Sequence, residues 1–134
     1  MSTTTEMRYV NAVTQALRDS MEQDPTVVVM GEDVAHAGGS FKATRGLLDT
    51  FGAERVIDTP ISESAITSAA VGMALSGLKP VVEIMFMDFI TLSMDALVNQ
   101  AAKARYMFGG QGSVSMVLRT PHGGGLSAGP QHSQ

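Results

Sequence analysis

The sequence predicts an α/β fold in which a parallel sheet is covered by helices on both faces. Three observations support this prediction: apolar, β-prone runs alternate with helical patterns, the connections are short, and the first strand is apolar on both faces. A strand that is apolar on both faces is typical of a buried parallel sheet. Alternating strands and helices join such a sheet through right-handed crossovers.

The first half of the chain predicts two helices and two strands. Apolar side chains recur at three- and four-residue steps from Val10 to Met21, which indicates a helix, and Asp24-Pro25 ends it. The elements predicted next are a strand at residues 26–30, a short helix at 44–51 closed by Gly52, and a strand at 55–58.

The second half begins with a helix that Ser62 is predicted to cap and that runs to about Ser76. Small side chains dominate this helix, so it can lie close to a sheet or another helix. The remaining predicted elements are a strand at residues 80–86, a long helix capped by Asp88 and reaching Met107, and a strand at 114–118.

Composition excludes several classes of protein. The net charge of −4 argues against binding nucleic acid through bulk charge, and the absence of cysteine excludes disulfides, Cys-ligated metals and thiol catalysis. No apolar run approaches the roughly 18 residues that span a bilayer, and the first residues do not form a secretory signal. We therefore expect a cytoplasmic protein that binds neither nucleic acid nor membrane.

The length suits one domain over residues 1–134. Its end has the composition of a loop, since half of the 14 glycines lie between Gly109 and Gly129. A compact domain rarely stops on such a loop. We expect either that the domain is truncated or that a partner covers this end.

Chemistry is expected where the strands end, because ligands of open parallel sheets bind at the carboxyl ends of the strands. This rule brings together Glu32, Glu63, Asp88, Phe89 and His132.

Glu63 is the strongest of these candidates. Apolar neighbours surround it in the first turn of a helix, and a carboxyl group in such surroundings has a raised pKa and can exchange protons near neutral pH. Two simpler interpretations remain open at this point. Glu63 also fits a helix-dipole partner, and Phe89 and Met85 also fit an ordinary core. The histidines have no metal spacing and fit solvated loop residues.

The chain resembles the N-terminal half of the beta subunit of the thiamine-diphosphate-dependent 2-oxo acid dehydrogenases, the first components of the pyruvate, branched-chain 2-oxo acid and acetoin dehydrogenase complexes. The number, order and spacing of the matching segments make the resemblance specific. They include residues 31–34 (GEDV), 38–44 (GGSFKAT), 55–63 (RVIDTPISE), 77–83 (GLKPVVE), 99–103 (NQAAK), 119–121 (RTP) and 131–134 (QHSQ).

The resemblance implies a transketolase-like pyrimidine-binding domain. In such a domain Glu63 would hydrogen-bond the aminopyrimidine of the cofactor and favour its imino tautomer, which removes the proton from the thiazolium carbon. Met85 and Phe89 would line the pyrimidine pocket, and His132 would face the substrate and the incoming lipoyl group. Backbone oxygen near Met116 would contribute to a structural potassium site.

The resemblance also implies partners. The family binds the diphosphate and magnesium through a Gly-Asp-Gly segment of the alpha subunit, and no such segment occurs here. This chain would supply half of a cofactor site in an alpha2beta2 heterotetramer that serves a lipoyl-bearing acyltransferase core. The family's further strands and C-terminal domain are missing, so we expect the isolated chain to be inactive.

Three alternatives remain open: a non-catalytic α/β fragment that keeps only the subunit interface, an acetoin-cleaving relative, and another transketolase-like enzyme such as a sugar-phosphate synthase. The third fits the fold but not residues 58–63 and 99–103. The sequence does not identify the 2-oxo acid.

Overall fold

A computed structural model describes residues 4–132 of the chain, and its centre is a sheet of four parallel strands in the order β2-β1-β3-β4. The central strand β1 is buried at all five positions, as its uninterrupted apolar run predicts. The predicted fold class is confirmed. The strands are β1 (Val27–Gly31), β2 (Val56–Asp58), β3 (Lys79–Glu83) and β4 (Val117–Arg119).

Helices cover both faces of the sheet because successive side chains of each strand point to opposite faces. On one face, α1 (Tyr9–Gln23) and α2 (Leu47–Phe51) enclose a core that includes Val29. On the other face, α3 (Glu63–Leu75) encloses a core that includes the next residue, Met30. Small side chains let α3 approach the sheet closely, as predicted, and its Ala70 has no exposed surface.

The first residue before β2 holds the first layer together. The guanidinium of Arg55 donates hydrogen bonds to the backbone carbonyl oxygens of Met21, Asp24 and Val27. It also lies 5.1 Å from the centre of the Phe51 ring. One side chain therefore ties the end of α1, the start of β1 and the end of α2 to one point.

The prediction of one long α-helix from Asp88 to Met107 is wrong. The segment consists of a 3₁₀ helix (Met87–Ser93), a π-helix (Asp95–Ala101) and α4 (Ala102–Met107). The step of four residues from Leu92 to Ala96 indicates one α-helix, but Leu92 is 54% exposed and Ala96 is buried, so the two do not share a face. Asp88 lies in the first turn of the 3₁₀ helix rather than at its cap.

The short helix α2 begins three residues later than predicted. Gly46 adopts a left-handed conformation with φ of 77°, so a right-handed helix cannot pass through it. Thr44 instead lies in a buried turn, where its hydroxyl donates to the carbonyl oxygen of Val34 at 2.6 Å. Gly52, with φ of 79°, ends the helix as predicted.

The last strand is also displaced from residues 114–118 toward the carboxyl end. Its ladder with β3 begins at the pair Val81–Val117. The N–H of Lys79 bonds toward β1, at the carbonyl oxygen of Thr26, so the next residue, Pro80, faces β4 without a donor. The missing donor explains why the ladder starts only after Pro80.

Within the described part of the chain, the helices are all too short or too polar to cross a membrane.

Candidate functional site

The strand ends form the site, and a close approach between β1 and β3 shapes them. A side chain on Gly31 would place its Cβ 2.6 Å from the carbonyl oxygen of Glu83. Only glycine therefore lets the two strands end side by side. The turn that follows puts Glu32 at the carboxyl end of the sheet.

Two buried carboxylates lie close together at this edge. Glu32 is 6% exposed and Glu63, the first residue of α3, is 7% exposed. Burial, and then the negative charges of Glu63 and Asp33, raise the pKa of Glu32, while the backbone N–H of Ser62 donates to it and opposes the shift. Within residues 4–132, Oε1 of Glu32 is buried with no hydrogen-bond partner.

The first turn of α3 is fixed by the 3₁₀ helix beside it. The hydroxyl of Thr67 donates to the buried hydroxyl of Ser93 at 2.7 Å, and Ser93 donates to the backbone oxygen of Glu63 at 3.2 Å. The hydroxyl of Ser64 donates to the backbone oxygen of Leu92 at 2.6 Å. Ser62 is the N-cap residue, as predicted, but its side chain makes no capping bond to any described residue.

Aromatic side chains form a second wall of the site. The ring of His132 lies edge-on to Phe89 and Phe86, with centroid distances of 5.3 Å and 4.8 Å. Phe86 also contacts Phe89 at 6.2 Å and Phe41 at 5.8 Å. Phe89 packs against the core that includes Ile66, one turn after Glu63, so the aromatic wall and the carboxylates share the face that α3 covers.

The loop after β1 is held by the last residue of β2. The carboxylate of Asp58 accepts hydrogen bonds from the backbone N–H groups of Ala35 at 2.6 Å and His36 at 3.2 Å. Asp33, in the same loop, adopts a left-handed conformation with φ of 57°. Such conformations persist where the surroundings enforce them, which is common at functional sites.

An ion pair joins the ends of β3 and β4. Glu83 is 3% exposed and its carboxylate accepts a hydrogen bond from the guanidinium of Arg119. Burial raises the pKa of Glu83, and the charge and hydrogen bond of Arg119 oppose that shift. The pair fixes the start of the segment that leads to His132.

The structure groups most of the predicted site residues at one edge. Glu32, Glu63, Phe89 and His132 lie at the carboxyl end of the sheet, with Met85 half-buried two residues beyond β3. Met116 lies at the opposite, amino end, beside a largely apolar cavity of 330 Å³. Ser133 and Gln134, the end of the last matching segment, lie outside the described residues.

Sequence reasoning missed Phe86 and Phe41 as members of the site. Phe86 was predicted to end a strand at residues 80–86 and was given no role in the site, whereas β3 ends at Glu83 and Phe86 contacts His132. Phe41 lies in an irregular loop, where no periodicity indicates the direction of a side chain. Both residues line a cavity of 280 Å³ together with the segment from Pro121 to Leu126.

The donor set suits an organic ring better than a metal ion. Within residues 4–132, no three His, Asp or Glu side chains are grouped as metal ligands. A buried carboxylate beside apolar and aromatic side chains can instead hydrogen-bond one polar atom of a heterocycle and pack against its face.

Known proteins are similar to this chain over nearly its whole length. Residues 5–134 match the family described as transketolase, pyrimidine binding domain. The 2-oxoisovalerate dehydrogenase subunit beta of Bacillus subtilis is 44% identical over 96% of the chain, and the pyruvate dehydrogenase E1 component subunit beta of Acholeplasma laidlawii is 50% identical over 93%. The mitochondrial pyruvate dehydrogenase E1 component subunit beta-2 of rice is 47% identical over 96%.

The chain spans 39%, 38% and 34% of the lengths of these three relatives, respectively. The match with the family nevertheless covers the whole sheet, all the helices and the carboxylate edge. The chain therefore belongs to the transketolase pyrimidine-binding domain family, and its sequence is of the type found in the beta subunits of 2-oxo acid dehydrogenases.

Proposed function

We propose that this chain supplies the part of a thiamine-diphosphate site that binds the pyrimidine, in a 2-oxo acid dehydrogenase. In this proposal Glu63 is the carboxylate that exchanges a proton with the pyrimidine ring. The observation that carries the proposal is the position of Glu63. It is buried in the first turn of α3, beside a second carboxylate and on the same face as Phe89.

The residues present fit the pyrimidine part of this cofactor. Oε1 of Glu32 is buried and has no partner among residues 4–132, which supports the presence of a polar group that the chain itself does not supply. Glu63 would accept or donate a hydrogen bond at a ring nitrogen, and Phe89 and Met85 would pack against the ring. When bound, thiamine diphosphate supplies the electron sink for decarboxylation of a 2-oxo acid, and the protein supplies orientation and a proton path.

The chain's own part in the reaction is to hold and move a proton at Glu63. Burial and the neighbouring charge of Glu63 raise the pKa of Glu32, so Glu32 binds a proton more tightly than an ordinary carboxyl group does. The hydrogen bonds from Thr67 through Ser93 to the backbone of Glu63 keep the first turn of α3 in place while the proton moves. His132, at the aromatic wall, is proposed to face the substrate and the lipoyl group.

The rest of the cofactor site is proposed to come from an alpha subunit. The chain has no Gly-Asp-Gly segment, so we place the diphosphate and magnesium on that partner. An alpha2beta2 assembly and a lipoyl-bearing acyltransferase core complete the proposal. Support comes from large apolar side chains exposed along the segment from Met87 to Met107, where Leu92 is 54% and Met107 71% exposed.

Two finer features belong to the same proposal. Backbone oxygen near Met116 is proposed to bind potassium, at the end of the sheet away from the carboxylates. We also propose that residues 1–134 belong to one domain whose sheet continues beyond β4, which is supported by the 56% exposure of Val117 at the edge. The cytoplasmic location stays a prediction.

The test is Glu63→Gln in the full chain assembled with its complementary subunit. Glutamine keeps the size and one hydrogen bond but cannot exchange the proton, and general acid–base groups contribute about 10²–10⁴-fold in rate. We expect normal assembly with a loss of activity in that range, measured by decarboxylation and by exchange of the thiazolium proton.

The matched control is Glu54→Gln, which removes the same charge at an exposed position. If Glu63 were only a partner of the helix dipole, the substitution would cost roughly 0.3–1 kcal/mol of stability and leave turnover intact. Wild-type proton exchange in a folded Glu63→Gln enzyme would contradict the proposal.

A further inference from the structure

A basic groove lies on the side of the molecule that carries α1, and it shares only Phe41 with the aromatic wall of the candidate site. The first half of α1 and the loop at residues 41–45 form its walls, which enclose 560 Å³. Three of the chain's nine basic residues line it: Arg8, Lys42 and Arg45. No acidic residue within the described range lines it.

The charge of this groove is not neutralised within residues 4–132. The two ion pairs of that range involve Lys79 and Arg119 instead. Lys42 donates only to the backbone oxygen of Ala37, at 2.8 Å. In a chain of net charge −4, three adjacent cations without a counter-charge are a local reversal of the overall sign.

The backbone holds one of these cations in an unfavourable conformation. Lys42 has φ of 63°, in the left-handed region that side chains other than glycine seldom occupy. The turn is enforced by hydrogen bonds from the N–H of Lys42 to Gly39 and from the N–H of Thr44 to Gly38. Such conformations are common at sites that clamp a ligand.

The shape indicates a chain-like ligand rather than a single small anion. A second cavity, of 490 Å³, shares Lys42 and Arg45 with the groove and continues past His36, with Asp49 as its one acidic lining residue. A ligand that follows both cavities passes several cations in turn. A small anion would need donors that converge on one point, whereas Arg8 caps α1 on one side of the groove and Lys42 and Arg45 lie in the loop on the other.

The groove also has places for groups other than carboxylates. The amide side chains of Asn11 and Gln15 line one wall, where they can hydrogen-bond a peptide backbone. Phe41 and Val10 provide an apolar surface, and Phe41 is 36% exposed. Cations, amides and one aromatic ring together match an extended polypeptide rich in acidic residues.

We propose that the groove lined by Arg8, Lys42 and Arg45 is a docking site for an acidic, extended polypeptide segment of a partner protein.

The test measures binding of a fluorescein-labelled hexaglutamate peptide to the full chain by fluorescence anisotropy, with hexaglutamine as the control peptide. Arg8→Glu/Arg45→Glu reverses two charges in the groove, and Lys103→Glu/Arg105→Glu makes the same change in α4, outside it. Exposed charge pairs are individually weak, so reversing two of them is expected to weaken binding roughly tenfold. The α4 variant should change it less than about twofold.

Circular dichroism checks that both variants fold. If Arg8→Glu/Arg45→Glu does not fold, Arg8→Gln/Arg45→Gln takes its place. Failure of the wild-type chain to bind hexaglutamate would overturn the proposal, as would equal binding of hexaglutamine. If the groove variant and the α4 variant weakened peptide binding equally, the binding would be due to the overall charge of the chain, and the proposal would be overturned. Displacement of the peptide by millimolar inorganic phosphate at constant ionic strength would assign the groove to small anions and overturn the peptide proposal.

Discussion

Glu32 carries a carboxyl group that the fold buries with an incomplete set of hydrogen bonds. Its raised pKa has burial as the main cause, followed by the neighbouring charges of Glu63 and Asp33. A carboxyl group of raised pKa binds its proton more tightly in the folded than in the unfolded chain. Its ionisation therefore lowers stability as the pH rises above 4.5, its ordinary value, toward the raised pKa.

We expect Glu32→Gln to stabilise the fold increasingly over the wild type as the pH rises from 4.5, because the variant has no charge to bury. Urea unfolding at several pH values measures the difference. Burial also raises the pKa of Glu83. Because Glu83 is present in both proteins, its effect on stability cancels in the comparison. Glu54→Gln, an exposed control, should stay within about 0.5 kcal/mol throughout. A difference between Glu32→Gln and wild type that does not depend on pH would contradict this explanation.

His132 lies against two phenylalanine rings. Its place in the matching segment at residues 131–134 implies, by the family resemblance, a late role in the reaction. We expect His132→Ala in the assembled enzyme to retain most decarboxylation with an artificial electron acceptor and to lose transfer to the lipoyl group. The loss should approach the 10²–10⁴-fold typical of acid–base groups. His36→Ala, in an exposed loop, is the control. Equal losses in both assays would argue against a late step.

The rule that ligands bind at the ends of strands indicated Glu32, Glu63, Asp88, Phe89 and His132, because each lies in a segment that follows a predicted strand. The rule did not indicate Phe41 or the ion pair of Glu83 with Arg119. An ion pair between two strands depends on their register, and the sequence does not show which residue of β3 lies opposite Arg119. The change of winding between Met87 and Met107 was also missed, because the four-residue step from Leu92 to Ala96 indicated one α-helix, although Leu92 is exposed and Ala96 is buried.

At the scale of elements, the ion pair between β3 and β4 predicts a large effect of substitution. Arg119→Met leaves the buried carboxylate of Glu83 without its counter-charge, which typically costs 3–5 kcal/mol. We expect about 3 kcal/mol, because Arg119 is 22% exposed and water reaches its side of the pair. Chemical denaturation measures the change, and Arg105→Met, exposed on α4, should cost less than about 0.5 kcal/mol.

The double variant Glu83→Leu/Arg119→Met separates two contributions to the loss of stability: the buried charge of Glu83 left without a partner, and the lost packing contacts of Arg119. Replacing a buried ion pair by apolar side chains is often nearly neutral, so the double variant should regain much of the stability that Arg119→Met loses. A double variant as unstable as the sum of the two single variants would show that the ion pair is not the cause.

At the scale of the molecule, the proposed site is complementary to only one part of the cofactor. The buried carboxylates and the aromatic wall lie at one end of the sheet, and the segment beside them exposes apolar side chains, among them Leu92 and Met107. Carboxylates and rings can hold a heterocycle, but the carboxylates of Glu32 and Glu63 oppose the binding of a diphosphate at the N-terminus of α3. The three cations of the basic groove line a surface between α1 and the loop at residues 41–45 and make no ion pair within residues 4–132.

We therefore expect the chain alone to bind thiamine diphosphate with magnesium more weakly than micromolar, since only the pyrimidine contacts are available to it. The Gly-Asp-Gly segment that the family uses for the diphosphate is absent from the sequence. Isothermal titration calorimetry of the chain, with and without the complementary subunit, measures the difference. Tight binding should appear only in the assembled protein and should weaken in Glu63→Gln. Micromolar or tighter binding by the chain alone would show that it holds the diphosphate itself, and the division of the site between two subunits would be wrong.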